Sequence, residues 1–247
     1  MTSIPGIVLL SSQVALQRAA DVVANNIANS STTGFKRQGV AFETYAFGHI
    51  PKQTAQYVYD RHTYFDTSIG TISLTGNPLD VALQGSGFFQ IQTPQGTHYT
   101  RNGAFQINSE GQLVTSNGNI VLDTGGQPIL FPEDAKDIVI AKDGTISYIT
   151  GTDTSKTQAG RIAIVSFEDN ANVDMLGGSV ISTTQTPIPV EGNIAIQGAV
   201  ENSNVSPISE MVSLIEIHRS YERASKLIEQ ENERIRNALD KLGQTNA

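Results

Sequence analysis

The chain has 247 residues, of which 38% are apolar and 16% charged, fewer charges than the roughly 25% of an ordinary soluble domain. Acids outnumber bases by 24 to 16, a formal charge of −8, which disfavours nucleic-acid binding because phosphate neutralisation needs clustered cations. There is no cysteine, which excludes disulfide scaffolds, thiol catalysis and Cys-ligated zinc. No apolar run approaches the ~20 residues that span a bilayer, so no membrane insertion is expected. The absence of a basic residue before Arg18 is unlike a cleaved secretory signal peptide.

Residues 1–34 read as a helix. Leu9, Leu16 and Val23 recur every seven residues, with Ser12, Ala19, Ala20 and Ile27 on the same face. Ile7, Leu10, Val14 and Val22 fall outside that seam. Asn25, Asn26, Asn29 and Ser30 are weak helix formers, so the end is expected to fray, and Gly34 offers a stop. Such a helix is marginal alone and needs a partner for its stripe.

The middle of the chain, 39–206, holds 19 of the 22 glycines and 16 acids against seven bases, so the acidity belongs there. Residues 35–75 read as an extended connector, 76–190 as a β-rich domain and 191–206 as a return connector. Strands are expected at 88–92, 98–100, 105–107, 112–115, 120–122, 137–140, 145–149 and 161–167. Between them lie turn residues such as Asn102-Gly103, Asn117-Gly118 and Asp143-Gly144. The spacing suits an irregular all-β sandwich or barrel. Polar stretches at 48–56, 150–160 and 182–192 read as surface loops or connections.

Residues 207–247 give the cleanest period. Leu214, Tyr221, Ile228, Ile235 and Leu242 fill one heptad position; Met211, His218, Ser225, Asn232 and Leu239 fill the alternate one. Asn204 or Ser206 suits the cap, Pro207 the first turn, and Glu210 the positive end of the dipole. Val212 and Ile215 lie off the seam. The fold expected is therefore a mainly β central domain flanked by N- and C-terminal α-helices with coiled-coil patterning.

Catalytic and ligand motifs are sought without success. His49, His62, His98 and His218 have no metal spacing. Gly85-Ser86-Gly87 begins a dinucleotide pattern, but Gln90 stands where a third glycine belongs and a strand follows instead of a helix. Asn170, Asn172 and Asp174 imitate a calcium loop, with Met175 in place of its glycine and Ile181 in place of its glutamate. Glu133, Asp134 and Asp137 read as a solvated turn. No catalytic residue, metal ligand or cofactor is nominated.

Three blocks carry a resemblance. Ala24-Asn25-Asn26-Ile27-Ala28-Asn29 with Thr32-Thr33-Gly34-Phe35-Lys36-Arg37 is similar to the N-terminal signature of the flagellar rod and hook axial proteins. Thr75-Gly76-Asn77-Pro78-Leu79-Asp80-Val81-Ala82-Leu83, Gly87-Phe88-Phe89 and Tyr99-Thr100-Arg101-Asn102-Gly103 resemble the opening of that family's β domain. Residues 197–205 with Glu210-Met211-Val212, continued by Arg219, Tyr221 and Glu222, resemble its C-terminal signature. The length and residues 57–66 favour a proximal-rod over a distal-rod member.

The resemblance implies an inner coiled-coil layer made by both termini, with the β domain outside it. It implies a structural component of the flagellar basal body that encloses an export channel, transmits torque and crosses the periplasm. The implied partners are copies of itself, other flagellar rod proteins and the flagellar type III export apparatus, with ring proteins and peptidoglycan as further candidates. The assembly interface expected comprises Leu9, Leu16, Val23, Asn26 and Ile27 with Met211, Leu214, His218, Tyr221, Ser225, Ile228, Asn232, Ile235, Leu239 and Leu242. Two other readings of the residues stay open: an intrachain coiled coil, and a β domain that binds a ligand.

Overall fold

The computed structural model describes residues 4–47, 55–151, 155–168, 173–177, 179–190, 192 and 195–244. Helix α1 (Ile4–Ala28) is followed by β1 (Gln38–Phe47), β2 (Ala55–Phe65), β3 (Ile72–Leu74) and β4 (Val81–Leu83). Next come β5 (Phe88–Thr93), β6 (Gly96–Thr100), β7 (Phe105–Ile107), β8 (Leu113–Thr115) and β9 (Ile120–Val121). Then follow β10 (Ala135–Ile140), β11 (Thr145–Thr150), β12 (Thr157–Arg161), β13 (Ile164–Ser166) and β14 (Val173–Gly177). The chain ends with β15 (Val180–Thr183), β16 (Ile188–Pro189), β17 (Ala195–Gln197), β18 (Ala199–Glu201) and α2 (Pro207–Gln244).

These elements form two compact units. The helical unit comprises Met1–Ile27, Gln38–Tyr64 and Ser206–Ala247; the β unit comprises Ala28–Arg37 and Phe65–Val205. Residues 35–75 hold three strands, of which β1 and β2 pair with each other in the helical unit while β3 pairs with β18 in the β unit. Most of the 48–56 stretch, and His49 with it, lies outside the described residues.

The β unit is organised around β5. Its Phe89–Thr93 edge pairs with β6, and its other edge is shared between β9 and β13. The resulting nine-stranded sheet runs β14-β15-β6-β5-β9-β8-β7, with β13 and β16 off that path. It is open, so the mainly β expectation stands and its closed-barrel form does not. A three-stranded sheet β10-β11-β12 and two short pairs, β17-β4 and β18-β3, complete the unit. Alternation along β5 buries Phe89 and Ile91. They join Val81, Leu83, Leu113, Val121, Ile146 and Ile162 in one core, where Phe89 meets Phe105 edge-on with centroids 5.0 Å apart. Phe88 packs instead on a second cluster, in which Tyr99 meets Phe167 edge-on at 4.8 Å.

Three expectations change. The polar stretch 150–160 contains most of β12, because an edge strand carries exposed Thr157 and Gln158 and so looks like a loop. The stretch 182–192 contains β16, whose Pro189 is tolerated because it lies at an edge. The single strand expected at 161–167 is divided into β12 and β13. In β10 a register shift between Lys136 and Val139 coincides with Asp137 at φ +49°.

Helix α1 ends at Ala28, six residues before Gly34. Gly34, at φ +68°, serves a close approach instead: a Cβ there would lie 2.4 Å from the carbonyl carbon of Arg101. Helix α2 spans 38 residues, about 57 Å at 1.5 Å per residue. Ser206 precedes its first turn, and its carbonyl accepts from Glu210 N at 3.0 Å. Asn204 is not the cap, since its side chain accepts from Arg37 N and donates to the carbonyls of Asp66 and Ser68.

Candidate assembly interface

Each helix has one covered stripe and one open face. On α1, Ala15, Val22, Val23 and Asn26 are buried, and Leu9, Leu16 and Ile27 are half-buried. Val22, placed off the seam by the period, is covered, whereas Leu10 and Val14 are exposed as their positions implied. On α2, Leu214, Tyr221, Ile228 and Ile235 are half-buried along one line. The second covered line is Glu210, Ile217, Ala224 and Glu231, one residue earlier than Met211, His218, Ser225 and Asn232. Ser225 stays half-buried, while Met211, His218 and Asn232 face solvent. The side chains of Leu239 and Leu242 lie outside the described residues.

The reason for the offset is polar. Asn26 is fully buried, and its amide pairs in both directions with the Gln38 backbone, Nδ2 donating to O and Oδ1 accepting from N, each at 2.9 Å. The second Nδ2 hydrogen goes to Glu210 Oε2 at 3.1 Å. Drawing Glu210 inward rotates the covered face of α2 toward the 210/217/224 line. The same bonds hold the asparagine-rich end of α1 helical up to Ala28, against its propensity.

The open faces are apolar as well. Ile208, Met211, Val212, Ile215 and Leu227 each expose half or more of their surface, and so do Leu10 and Val14. Exposed apolar side chains aligned along two helices mark an interaction surface more than a solvent face does.

In the β unit, signature residues converge on one carboxylate that the sequence reading assigned no role. Glu201 Oε1 accepts from Lys36 Nζ at 2.7 Å and from Gly70 N at 3.0 Å, and Oε2 accepts from Arg101 Nε at 2.5 Å. Arg101 also donates to the carbonyls of Leu83, Gly85 and Gly87. Lys36 gives a further bond to Ser68 O at 2.6 Å. Burial depresses the Lys36 pKa below the ordinary 10.5, with Glu201 opposing that shift. The signal that was available is local: each charge follows an apolar or β-forming residue, as in Phe35-Lys36, Thr100-Arg101 and Val200-Glu201.

Beside this cluster a groove of about 550 Å³ is lined by Lys36, Ser68, Gly85, Phe88, Arg101 and Phe167. Its cations are already engaged by Glu201 and by carbonyls. Gly85-Ser86-Gly87 thus turns carbonyls toward a guanidinium, the reverse of a phosphate loop. Among the described residues no group of three or more His, Asp and Glu is placed to hold a metal. His98 is buried against Thr93 Oγ1 at 2.8 Å, and His218 is exposed 3.8 Å from Glu222. Asn170 and Asn172 lie outside the described residues; Asp174 sits in β14, where Met175 pairs with Ile181.

Other signature residues close turns. Asp80 accepts from Thr75 Oγ1 at 2.6 Å and from Asn77 Nδ2 at 3.0 Å. Gly103 has no space for a side chain: a Cβ would lie 1.7 Å from Val81 O.

In chain order one α-helix precedes the β unit and another follows it, and residues of the three signature blocks build the packing. Residues 8–36 match the family described as flagella basal body rod protein, 82–148 the flagellar hook protein FlgE/F/G D1 domain, and 196–241 the flagellar basal body rod FlgEFG protein C-terminal family. The chain belongs to the flagellar basal-body rod protein family and is a structural rod component of the flagellar basal body, where it assembles with other rod proteins. The rod protein FlgF of Mesorhizobium japonicum is 36% identical over 96% of both chains. FlgF of Caulobacter vibrioides is 37% identical over 96% of this chain and 97% of its own. FlgG of Bacillus subtilis is 33% identical over 86% of this chain and 89% of its own. Among the described residues no helix is long and apolar enough to cross a membrane.

Proposed function

We infer that this chain occupies the proximal rod, packing helically with copies of itself and neighbouring rod proteins into a shaft that transmits torque and encloses the export channel. The observation that carries this reading is the second apolar face on both helices. A closed intrachain pair needs one stripe per helix; a packed cylinder needs more. The interface comprises the covered stripes from Leu9 to Ile27 and from Leu214 to Ile235, with Met211, His218 and Asn232 turned to neighbours; Ser225, Leu239 and Leu242 belong to it by their heptad positions. The subunit reaches its place through the flagellar type III export apparatus and crosses the periplasm, near peptidoglycan and the ring proteins. It has no catalytic turnover and takes no cofactor.

A distal-rod position is the second reading, supported by the similarity to FlgG. Electron microscopy of basal bodies from a strain lacking the gene separates the two. Membrane rings with no rod and no hook are expected. A truncated rod would move the subunit to the distal section, and intact rods with hooks would overturn the assignment.

A further inference from the structure

The heptad stripes of α1 and α2 are poorly suited to choosing a register. Leu9, Leu16 and Val23 recur every seven residues, as do Leu214, Tyr221, Ile228 and Ile235. Sliding one helix by a heptad, about 10 Å at 1.5 Å per residue, brings apolar positions onto equivalent ones. The small residues Ser12, Ala15, Ala19 and Ala20 on α1 and Ala224 on α2 resist such a slide weakly. The repeat by itself does not distinguish the two alignments, and a subunit that must offer one surface to its neighbours needs something that does.

Asn26 and Glu210 break the repeat. Both are buried, and they are joined across 184 residues of sequence by a hydrogen bond of 3.1 Å. Gln38 uses the amide oxygen and one amide hydrogen of Asn26, which fixes the plane of the side chain and aims the remaining hydrogen at Glu210. One heptad away on α1, the residue equivalent to Asn26 is Ala19; one heptad away on α2, the residue equivalent to Glu210 is Ile217. A slipped pair therefore sets the amide against an aliphatic side chain, or the carboxylate against one, and loses a buried hydrogen bond.

We propose that Asn26 and Glu210, with the Gln38 backbone as the orienting group, are positioning residues that set the register between α1 and α2 and so select the one composite surface that assembles. The proposal builds on the rod reading above, and its own test is made on the purified chain. Since the protein has no cysteine, Gln17→Cys and Lys226→Cys, both exposed positions, accept spin labels uniquely, and pulsed dipolar spectroscopy reads the distance between the helices. The chain with native Asn26 and Glu210 gives one narrow distance distribution. Asn26→Leu with Glu210→Leu gives a second population, as expected of a heptad slip, and fails to restore swimming to the deletion strain. Glu210→Gln keeps an acceptor for the amide and retains the single distribution. If the double variant does not fold, Glu210→Leu alone carries the same expectation, because Asn26 keeps its bonds to Gln38.

A single unchanged distribution in the apolar variants overturns the proposal. So does broadening in Glu210→Gln, which would make the charge and not the hydrogen bond decisive. Intact rods in the deletion strain would remove the rod reading and leave the distance measurement standing.

Discussion

The two units use the same kinds of apolar residue and dispose of them differently. In the β unit, Val81, Leu83, Phe89, Ile91, Leu113, Val121 and Ile146 are sealed on all sides by their own chain. Its buried charges are also settled internally, Lys36 and Arg101 on Glu201. In the helical unit, the best-covered positions of α2 are a glutamate and an alanine, and its larger aliphatic side chains are half-covered or open. Burial contributes roughly 25 cal/mol per Å² of apolar surface removed from water, so the β unit has drawn that stabilisation already and the helices hold it in reserve for neighbours. One chain thus combines a finished fold with an unfinished one.

The comparison breaks most visibly at Ile228. Ile228→Asp places a charge in the covered stripe of α2; assembly and swimming are expected to be abolished while the thermal transition of the β unit stays where it was. Incorporation of that variant into rods would show that the helices do not carry assembly. Glu201→Gln tests the other side. It leaves two buried cations without their carboxylate and is expected to destabilise the β unit by about 3–5 kcal/mol. Denaturant titration followed by near-ultraviolet dichroism of the Tyr99–Phe167 pair reads the loss, and an unchanged midpoint would refute the role given to the cluster.

Gly103→Ala comes next in size. The new methyl would meet Val81 O, and overpacking of this kind costs about 1–3 kcal/mol, measured by the same titration. The smallest effect is acidic. The Asp66 carboxyl is held below the usual 3.8 by hydrogen bonds from Ser68, and that of Asp143 by hydrogen bonds from Thr145. Depressed carboxyl values stabilise the fold above the unfolded pKa, and that contribution is lost as pH falls through the folded values below 3.8. Asp66→Asn and Asp143→Asn should each flatten the acid limb of a melting-temperature profile slightly, and a limb equally steep in both variants would assign it elsewhere.

Much of this was readable from spacing. The strands around Asn102-Gly103, Asn117-Gly118 and Asp143-Gly144 follow from turn chemistry, and the long α2 follows from its period. The pairing of β1 with β2 is harder to see, because Gln38–Phe47 sets the runs Val40-Ala41-Phe42 and Tyr45-Ala46-Phe47 around Glu43-Thr44 and so does not alternate. Edge strand β12 was hidden by its solvent-compatible residues. The covered face of α2 lies one residue from the alternate heptad position, because a heptad pattern ranks Met211 above Glu210 on hydrophobicity, and the amide that draws Glu210 inward sits 184 positions away. The Glu201 cluster is equally non-local: three separated blocks supply it, and no spacing rule connects them.

That non-locality has a temporal side. Lys36 and Glu201 are 165 residues apart, and Gly34 donates to the carbonyl of the same Glu201 at 2.7 Å. A chain that emerges from any narrow exit with its N-terminus leading presents Lys36 long before its counter-ion. The loop that must close is nearly the whole β unit, and contacts of such high order form late. On such an exit the N-terminal signature stays open until β18 has followed it, because Lys36 cannot find its carboxylate before residue 201 is present.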